Sequence, residues 1–414
     1  MEYYCGIDLG TSSVKVMLLG ADGTVVGTAS AGYDIKKNTP WEAEQDMEYL
    51  WQQTRQSITA LLGKYPGTGK LIRGISFSGQ MHGMVAVDKN GRPVRDAVIW
   101  ADQRSRDAID HIWDAVSEEE WKRTTLNTPC TGFLISSLLW MREHEPNLYG
   151  ETAKVMLPKD YIRFRMCGEI ATDVTDASST GIFDVENRQW AWELIGKLGL
   201  KREMIPFCGD SMMQLAGNGI IRSGILSCNI GTASQVACAL DRPVCDTKFR
   251  TNTFCHTGSG LWEIQGSSLT GGVALKWLRD NMLHMSDFGE MTDLAGTAPA
   301  GSDGLLFLPY LSGERCPYND PKARGIYFGM SLYHSREHLI RSTMEGVIFG
   351  LKESLEIFKG MGIRFDKVIA SGGGARGQLF REIQADVFEA EIHTAGEAEQ
   401  ACVGAAMTAA VGCG

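Results

Sequence analysis

The chain has 414 residues, of which 43% are hydrophobic and 22% charged; this is the balance of a globular protein, with length for two or three domains that bury cores without staples. Fifty acidic residues against forty basic ones leave a net charge of −10, which argues against a nucleic-acid protein, where a basic excess or face is usual. Phosphorylated small molecules stay open as ligands, because a local nest of backbone N–H groups binds anions even on an acidic protein.

Tyr3 to Leu9 is β-rich, Gly10-Thr11-Ser12-Ser13 is turn chemistry, and Val14 to Leu18 alternates apolar with other residues. Asp22-Gly23 signals a hairpin and Val25 onward a third strand, so the chain is expected to open with an antiparallel meander. Helical spacing follows from Asp46 to Leu62, and Ile72 to Phe77 reads as a short buried strand ending in Ser78-Gly79-Gln80-Met81-His82-Gly83. Val85 to Val87 with the Asn90-Gly91 turn predicts another hairpin, and Val98-Ile99-Trp100 a further strand. A mainly helical stretch is expected from about Arg104 to Trp192, then mixed strands, turns and helices from Ile225 on. The eleven cysteines show neither C-x-x-C spacing nor a zinc-ligand cluster. With no basic, apolar leader over Met1 to Cys5 and no run of about 18 apolar residues, the expectation is a cytoplasmic protein with reduced thiols and no membrane partner.

A weak repeat divides the chain. Ile7-Asp8-Leu9-Gly10-Thr11-Ser12-Ser13-Val14 is echoed by Cys228-Asn229-Ile230-Gly231-Thr232-Ala233-Ser234-Gln235-Val236. Each is a strand, a Gly-Thr turn and a second strand. Such turns gather backbone N–H groups, so two of them, one per half, can hold successive phosphates of a nucleotide; two unrelated surface hairpins are the plainer reading.

Four groups of residues can carry chemistry. Asp8 beside a phosphate nest needs a divalent cation between them, since Mg²⁺ is held by one or two carboxylates plus phosphates; an Asp bonding its own turn is the alternative. Asp210, in Gly209-Asp210-Ser211, can accept a hydroxyl proton during phosphoryl transfer, although its local sequence favours a helix N-cap. Gly372, Gly374 and Gly377 formally fit G-x-G-x-x-G, but 37 residues after Gly377 are too few for a dinucleotide domain. A glycine surface under adenine or ribose, or a tight strand-to-helix turn, fits better. Gln80, Met81 and His82 with Trp100, Asp102 and Arg104 combine an aromatic face with hydrogen-bonding groups, as a sugar site does; singly, each is as readily structural.

Together these residues resemble the FGGY carbohydrate kinases, most closely the xylulokinase-like branch. The match extends over nearly the whole chain, through Trp41 to Gln45, Ser78 to Gly83, Trp100 to Arg104, Leu157 to Tyr161, Thr172-Asp173, Ala177-Ser178, Leu311 to Arg315, Arg324-Gly325, Glu345-Gly346 and Ser371 to Ala375. The resemblance implies an α/β actin-like ATPase fold, two ribonuclease-H-like domains around a central cleft, divided here at 1–221 (sugar) and 222–414 (ATP). It implies ATP at Gly10, Thr11, Ser12, Ser13, Lys15, Gly231, Thr232, Gly271, Gly373, Gly374 and Ala375, Mg²⁺ at Asp8, and Asp210 as general base. Gln80, Met81, His82, Trp100, Asp102 and Arg104 would border an open-chain ketopentose, D-xylulose above ribulose, gluconate or glycerol; a catalytically impaired relative is the other reading. A homodimer is compatible with it. Two departures stand out: Phe207-Cys208-Gly209-Asp210 follows Pro206 at once, where the family has a few tens of residues, and family members run on for several helices beyond a point such as Gly414.

Overall fold

A computed structural model describes residues 1–209, 220, 222–256, 258, 260–394 and 399–413. The chain forms two compact units, Met1–Ile221 with Thr253–Trp262 and Glu399–Gly414, and Arg222–Asn252 with Glu263–Ala398. Two later segments, Thr253–Trp262 and Glu399–Gly414, thus pack with the first unit and not with their neighbours in sequence. Among the described residues no helix is long and apolar enough to cross a membrane.

In the first unit the expected meander is Tyr3–Leu9, Ser13–Gly20 and Val25–Gly32, each antiparallel to the next. Ser13, expected in the turn, opens the second strand. Ile72–Gly79 lies parallel to Tyr3–Leu9 on its other side. Cys5, Ile7 and Leu9 alternate onto one face, where they join Met47, Leu50 and Leu61 of the helix Met47–Lys64 and Tyr161 and Ile162 of Pro158–Cys167 in one core. That first helix starts where Asp46 accepts from the N–H groups of Glu48 and Tyr49 at 3.0 and 3.1 Å, a side-chain N-cap.

The opposite face is covered by the last helix, Gln400–Cys413. Gly6 and Gly74 make room for it. An ideal Cβ on Gly6 would lie 2.1 Å from the Cys402 carbonyl oxygen, and one on Gly74 would lie 2.8 Å from Cys413 Sγ. The expected strand at Val98 to Trp100 is shorter and earlier, Ala97–Val98, paired with Glu44–Gln45. The long helical stretch is cut by the short strands Lys154–Met156 and Ala171–Asp173.

The second unit repeats the pattern. Ile225–Ile230 runs antiparallel to Ser234–Leu240 and parallel to Lys367–Gly372. The sheet continues to Trp262–Ser268 on one side and Ile392–Thr394 on the other. The helix Arg336–Gly360 lies against Ser234–Leu240. The repeat is deeper than the two Gly-Thr turns. In the first unit Asp8 pairs with Ser78 and Leu9 with Gly79; in the second, Asn229 pairs with Ser371 and Ile230 with Gly372. The chain belongs to the two-domain actin-like, ribonuclease-H-like class.

Candidate functional site

In the first unit, the Gly10–Ser13 turn has every carbonyl tied down. Gly10 N–H donates to the Ser13 carbonyl at 3.0 Å. Tyr33 donates its hydroxyl to the Gly10 carbonyl at 2.5 Å and its N–H to the Ser12 carbonyl at 3.0 Å. Gln45 Nε2 donates to the Thr11 carbonyl at 2.7 Å, and Trp100 Nε1 donates to the Thr11 hydroxyl at 2.9 Å. The N–H groups of Thr11 and Ser12 have no partner among the described residues. A turn with its oxygens engaged and its donors free is an anion nest.

Asp8 and Lys15 face each other across the hairpin. Lys15 Nζ is 2.5 Å from Glu399 Oε2 at the head of the last helix. Burial pushes the Asp8 carboxyl up to about 6; the Lys15 ammonium and the Ser78 hydroxyl pull it down, and the Glu399 charge adds to the rise. The half-buried carboxylate is therefore ionised at neutral pH, as a cation ligand must be.

The polar group is wired to this turn. Gln80 N–H donates to the Leu9 carbonyl at 2.9 Å, and Gln80 Nε2 donates to Gln45 Oε1 at 2.6 Å. Gln80 Oε1 is then a buried acceptor without a partner among the described residues. Such an atom is costly unless a donor reaches it, and a sugar hydroxyl is one. His82 sits in the left-handed region at φ 72°. Its ring stacks on Phe133 at 4.3 Å and its Nδ1 is 3.0 Å from the Ser179 carbonyl, which places the proton on Nδ1. Met81 is half-buried beside it.

Asp102 and Arg104 act on the loops around Trp100. Arg104 Nε lies 3.0 Å from both Asp102 oxygens, and Nη2 lies 2.8 Å from Oδ2. Asp102 Oδ2 also accepts from the Ala43 N–H at 2.8 Å, while Arg104 Nη1 is 2.8 Å from Glu44 Oε1. Asp102 is buried. The pair clamps the Ala43–Gln45 stretch, and so Gln45, to the Trp100 loop. Gly132 packs against the same loop at φ 77°; a Cβ there would come within 2.2 Å of the Trp100 carbonyl oxygen.

One cluster was not singled out from sequence. Lys159 Nζ is buried between Asp160, Asp173 and Asp176 at 2.8, 2.6 and 2.9 Å. Asp173 also caps the helix Val174–Ser178, accepting from the N–H groups of Thr175 and Asp176 at 3.1 Å. Burial pushes Asp176 up to about 8 against the pull of Lys159, with Asp173 and Asp160 adding to the rise. Lys159 lies directly beneath the polar strand end, since a Cβ on Gly79 would meet its Cβ at 2.8 Å. Lys159-Asp160 and Thr172-Asp173 were visible as motif text, but no spacing rule brings residues 14 positions apart onto one ammonium.

In the second unit, the Gly231–Ala233 turn is built alike. Gly231 N–H donates to the Ala233 carbonyl at 3.0 Å. Gly271 and Val273 N–H donate to the Thr232 carbonyl at 3.0 and 3.2 Å, and Gly272 N–H donates to the Gly231 carbonyl at 2.7 Å. The Thr232 and Ala233 N–H groups have no partner among the described residues. Gly271 thus braces the turn rather than offering its own donor, and a Cβ there would lie 2.4 Å from the Ala233 carbonyl oxygen. Glu314, of the Leu311–Arg315 motif, holds this neighbourhood by accepting from the Ser268 hydroxyl at 2.6 Å and the Leu269 N–H at 3.1 Å.

Beyond the parallel strand, Gly373–Ala375 form a short 3₁₀ turn before the helix Gln378–Phe388. Their bare sides differ. A Cβ on Gly374 would meet the Ile230 side chain at 2.7 Å, so that side faces the protein, whereas one on Gly373 would meet nothing nearer than 3.7 Å. Asp210, the expected general base, lies outside the described residues.

Residues 3–217 match the N-terminal domain, and residues 226–413 the C-terminal domain, of the FGGY family of carbohydrate kinases. The chain is 32% identical to a xylulose kinase of Bacillus subtilis, over all of this chain and 89% of that one. It is 30% identical to a gluconokinase of the same species, over 98% and 86%. The solved structure of a ligand-bound xylulose kinase from Lactobacillus acidophilus superposes with a TM-score of 0.88 at 26% identity, covering 100% of this chain and 89% of that chain. Two phosphate-type turns in duplicated sheets and a polar group wired to one of them agree with those matches: this chain belongs to the FGGY family of carbohydrate kinases and is a sugar kinase.

Proposed function

We propose that the sugar is D-xylulose, phosphorylated at its C5 hydroxyl by ATP. The observation that carries this reading is the relay Gln80–Gln45–Thr11, at 2.6 and 2.7 Å. It joins an unpartnered buried acceptor, suited to a sugar hydroxyl, to the turn whose free N–H groups suit phosphate oxygens. Gln80, Met81, His82 and Trp100 border the ketose, and Asp102 and Arg104 position that border. Thr11 and Ser12 in one unit, and Thr232 and Ala233 in the other, each offer N–H donors to phosphate oxygens, with Ser13 and Lys15 beside the first turn. Gly271 braces the second turn, and Gly373 to Ala375 offer backbone to the adenosine.

The C5 oxygen bonds to the γ-phosphorus as the bond from that phosphorus to the bridging oxygen of ADP breaks, and Asp210 takes the hydroxyl proton. Asp8 is the residue that would hold Mg²⁺, which when bound neutralises charge on the phosphate oxygens. Lys15, tied to Glu399, keeps the Asp8 carboxylate ionised.

ADP release measured with D-xylulose, D-ribulose, gluconate and glycerol tests the substrate. D-Xylulose is expected to give a kcat/KM at least about tenfold above the others, the scale one well-placed hydroxyl contact supplies; preferential turnover of gluconate would replace the reading. Asp210→Ala is expected to lower kcat by about 10²- to 10⁴-fold with ATP binding kept, and wild-type turnover by that variant would remove Asp210 from the role.

A further inference from the structure

Asp8 and Lys15 stand directly opposite each other on antiparallel strands, where Cβ atoms are about 4.5–5.5 Å apart, well within the reach of a lysine. Opposite charges so placed close on each other unless another group takes the cation. Here they do not close: among the described residues no ion pair joins them. The Asp8 carboxylate bonds the Ser78 hydroxyl of the parallel strand, and the Lys15 ammonium turns away, to Glu399 Oε2 at 2.5 Å. Glu399 is itself held, since its carbonyl accepts from the Val403 N–H at 3.0 Å in the first turn of Gln400–Cys413. Cys402 Sγ donates to the Lys15 carbonyl at 3.5 Å. One helix head thus grips Lys15 by its backbone and by its side chain. The second unit repeats this wiring without charge. Asn229 Oδ1 accepts from the Ser371 hydroxyl at 3.2 Å, and Gln235, opposite Asn229, accepts from Gln265 Nε2 at 2.5 Å. Turning the opposed side chain toward a third segment belongs to the duplicated architecture, and in the first unit it decides where a positive charge lies.

We propose that Glu399 is a positioning residue: it draws the Lys15 ammonium off Asp8 and so leaves that carboxylate open to a divalent cation. This rests on the reading of Asp8 as the cation ligand. Two carboxylates act on the Lys15 charge, those of Glu399 and Asp8. Without the Glu399 charge the ammonium has Asp8 left to pair with, and it then competes with the cation for the same oxygens. The charge at residue 399 therefore controls the Asp8 carboxylate through Lys15 and touches neither substrate nor cofactor.

Calorimetry of the full chain with a non-hydrolysable ATP analogue, with and without Mg²⁺, tests this by the factor through which Mg²⁺ tightens binding. Contacts from Lys15 to phosphate enter both titrations and cancel in that factor. Glu399→Gln is expected to lower the factor about tenfold, within the range of coupling between neighbouring residues. In a Lys15→Met background, Glu399→Gln is expected to change it less than about twofold, because no ammonium is left to redirect. Equal losses in both backgrounds would mean that Glu399 acts on the cation by its own charge, and no loss in either that it does not act; both overturn the proposal. A factor unchanged by Asp8→Asn removes Asp8 as the cation ligand and this inference with it. A factor lost in Asp8→Asn and kept in Glu399→Gln removes this inference alone.

Discussion

At the residue scale, the two units place different groups at one topological position. Asp8 pairs with Ser78, and Asn229 pairs with Ser371 with its Oδ1 3.2 Å from the serine hydroxyl. Only the first bears a charge, so at this position only the first unit offers a carboxylate. The charge is costly where it stands. Because burial raises the folded-state value of Asp8 from 3.8 to about 6, the native state binds this proton more tightly than the unfolded chain does. Stability is therefore lost as pH rises from about 4 through 6, and the loss is complete above it. Asp8→Asn is expected to raise the thermal midpoint at pH 7.5 and not at pH 4, while lowering kcat by at least about 100-fold if Asp8 serves the cation. Melting curves at the two pH values and ADP assays check both. A variant equally active and no more stable removes both parts of the argument.

At the element scale, the parts that present the polar group are held by charges inside the protein. The helix Pro158–Cys167 contributes Lys159, and the helix Val174–Ser178 with its cap contributes Asp173 and Asp176. Burial alone would lower the Lys159 value, but Asp160, Asp173 and Asp176 together hold it well above 10.5. Removing one partner of a buried ionic group costs about 3–5 kcal/mol because the rest stay buried and unpaired. Lys159→Met is expected to lose stability on that scale at pH 8. In the variant the native carboxyls hold protons more tightly than the unfolded chain's, so part of the loss returns as pH falls toward 5. Denaturant titrations at the two pH values measure it, and an equal loss at both would mean packing rather than charge dominates.

At the scale of the whole molecule, chain order and spatial order part. The helix Gln400–Cys413, last in the described sequence, packs on the first unit's sheet against Gly6 and Gly74, and Glu399 reaches Lys15. A chain ending at residue 398 is expected to expose one whole sheet face and be recovered as aggregate. A soluble 1–398 chain with the wild-type thermal midpoint would contradict this. The helix's partner strands lie more than 300 positions away, beyond any local period, so no spacing in the sequence marks this packing.

Much of this was legible beforehand. The opening meander, the helix beginning near Asp46 and both Gly-Thr turns follow from alternation, helical spacing and turn chemistry, which act over a few residues and leave their mark in the order of letters. The family pattern named Gln80 and Trp100 but not what holds them. Gln45 as the link between Gln80 and Thr11, Lys159 among three carboxylates, Gly271 as a brace and Gly374 turned inward appear only in the folded chain. Sequence by itself determined the opening strands, the two Gly-Thr turns and the kinase family, because backbone preferences and motif spacing are local. Tertiary structure alone decided which buried polar atoms are paired and which are not, because pairing depends on distances between segments that no local rule connects.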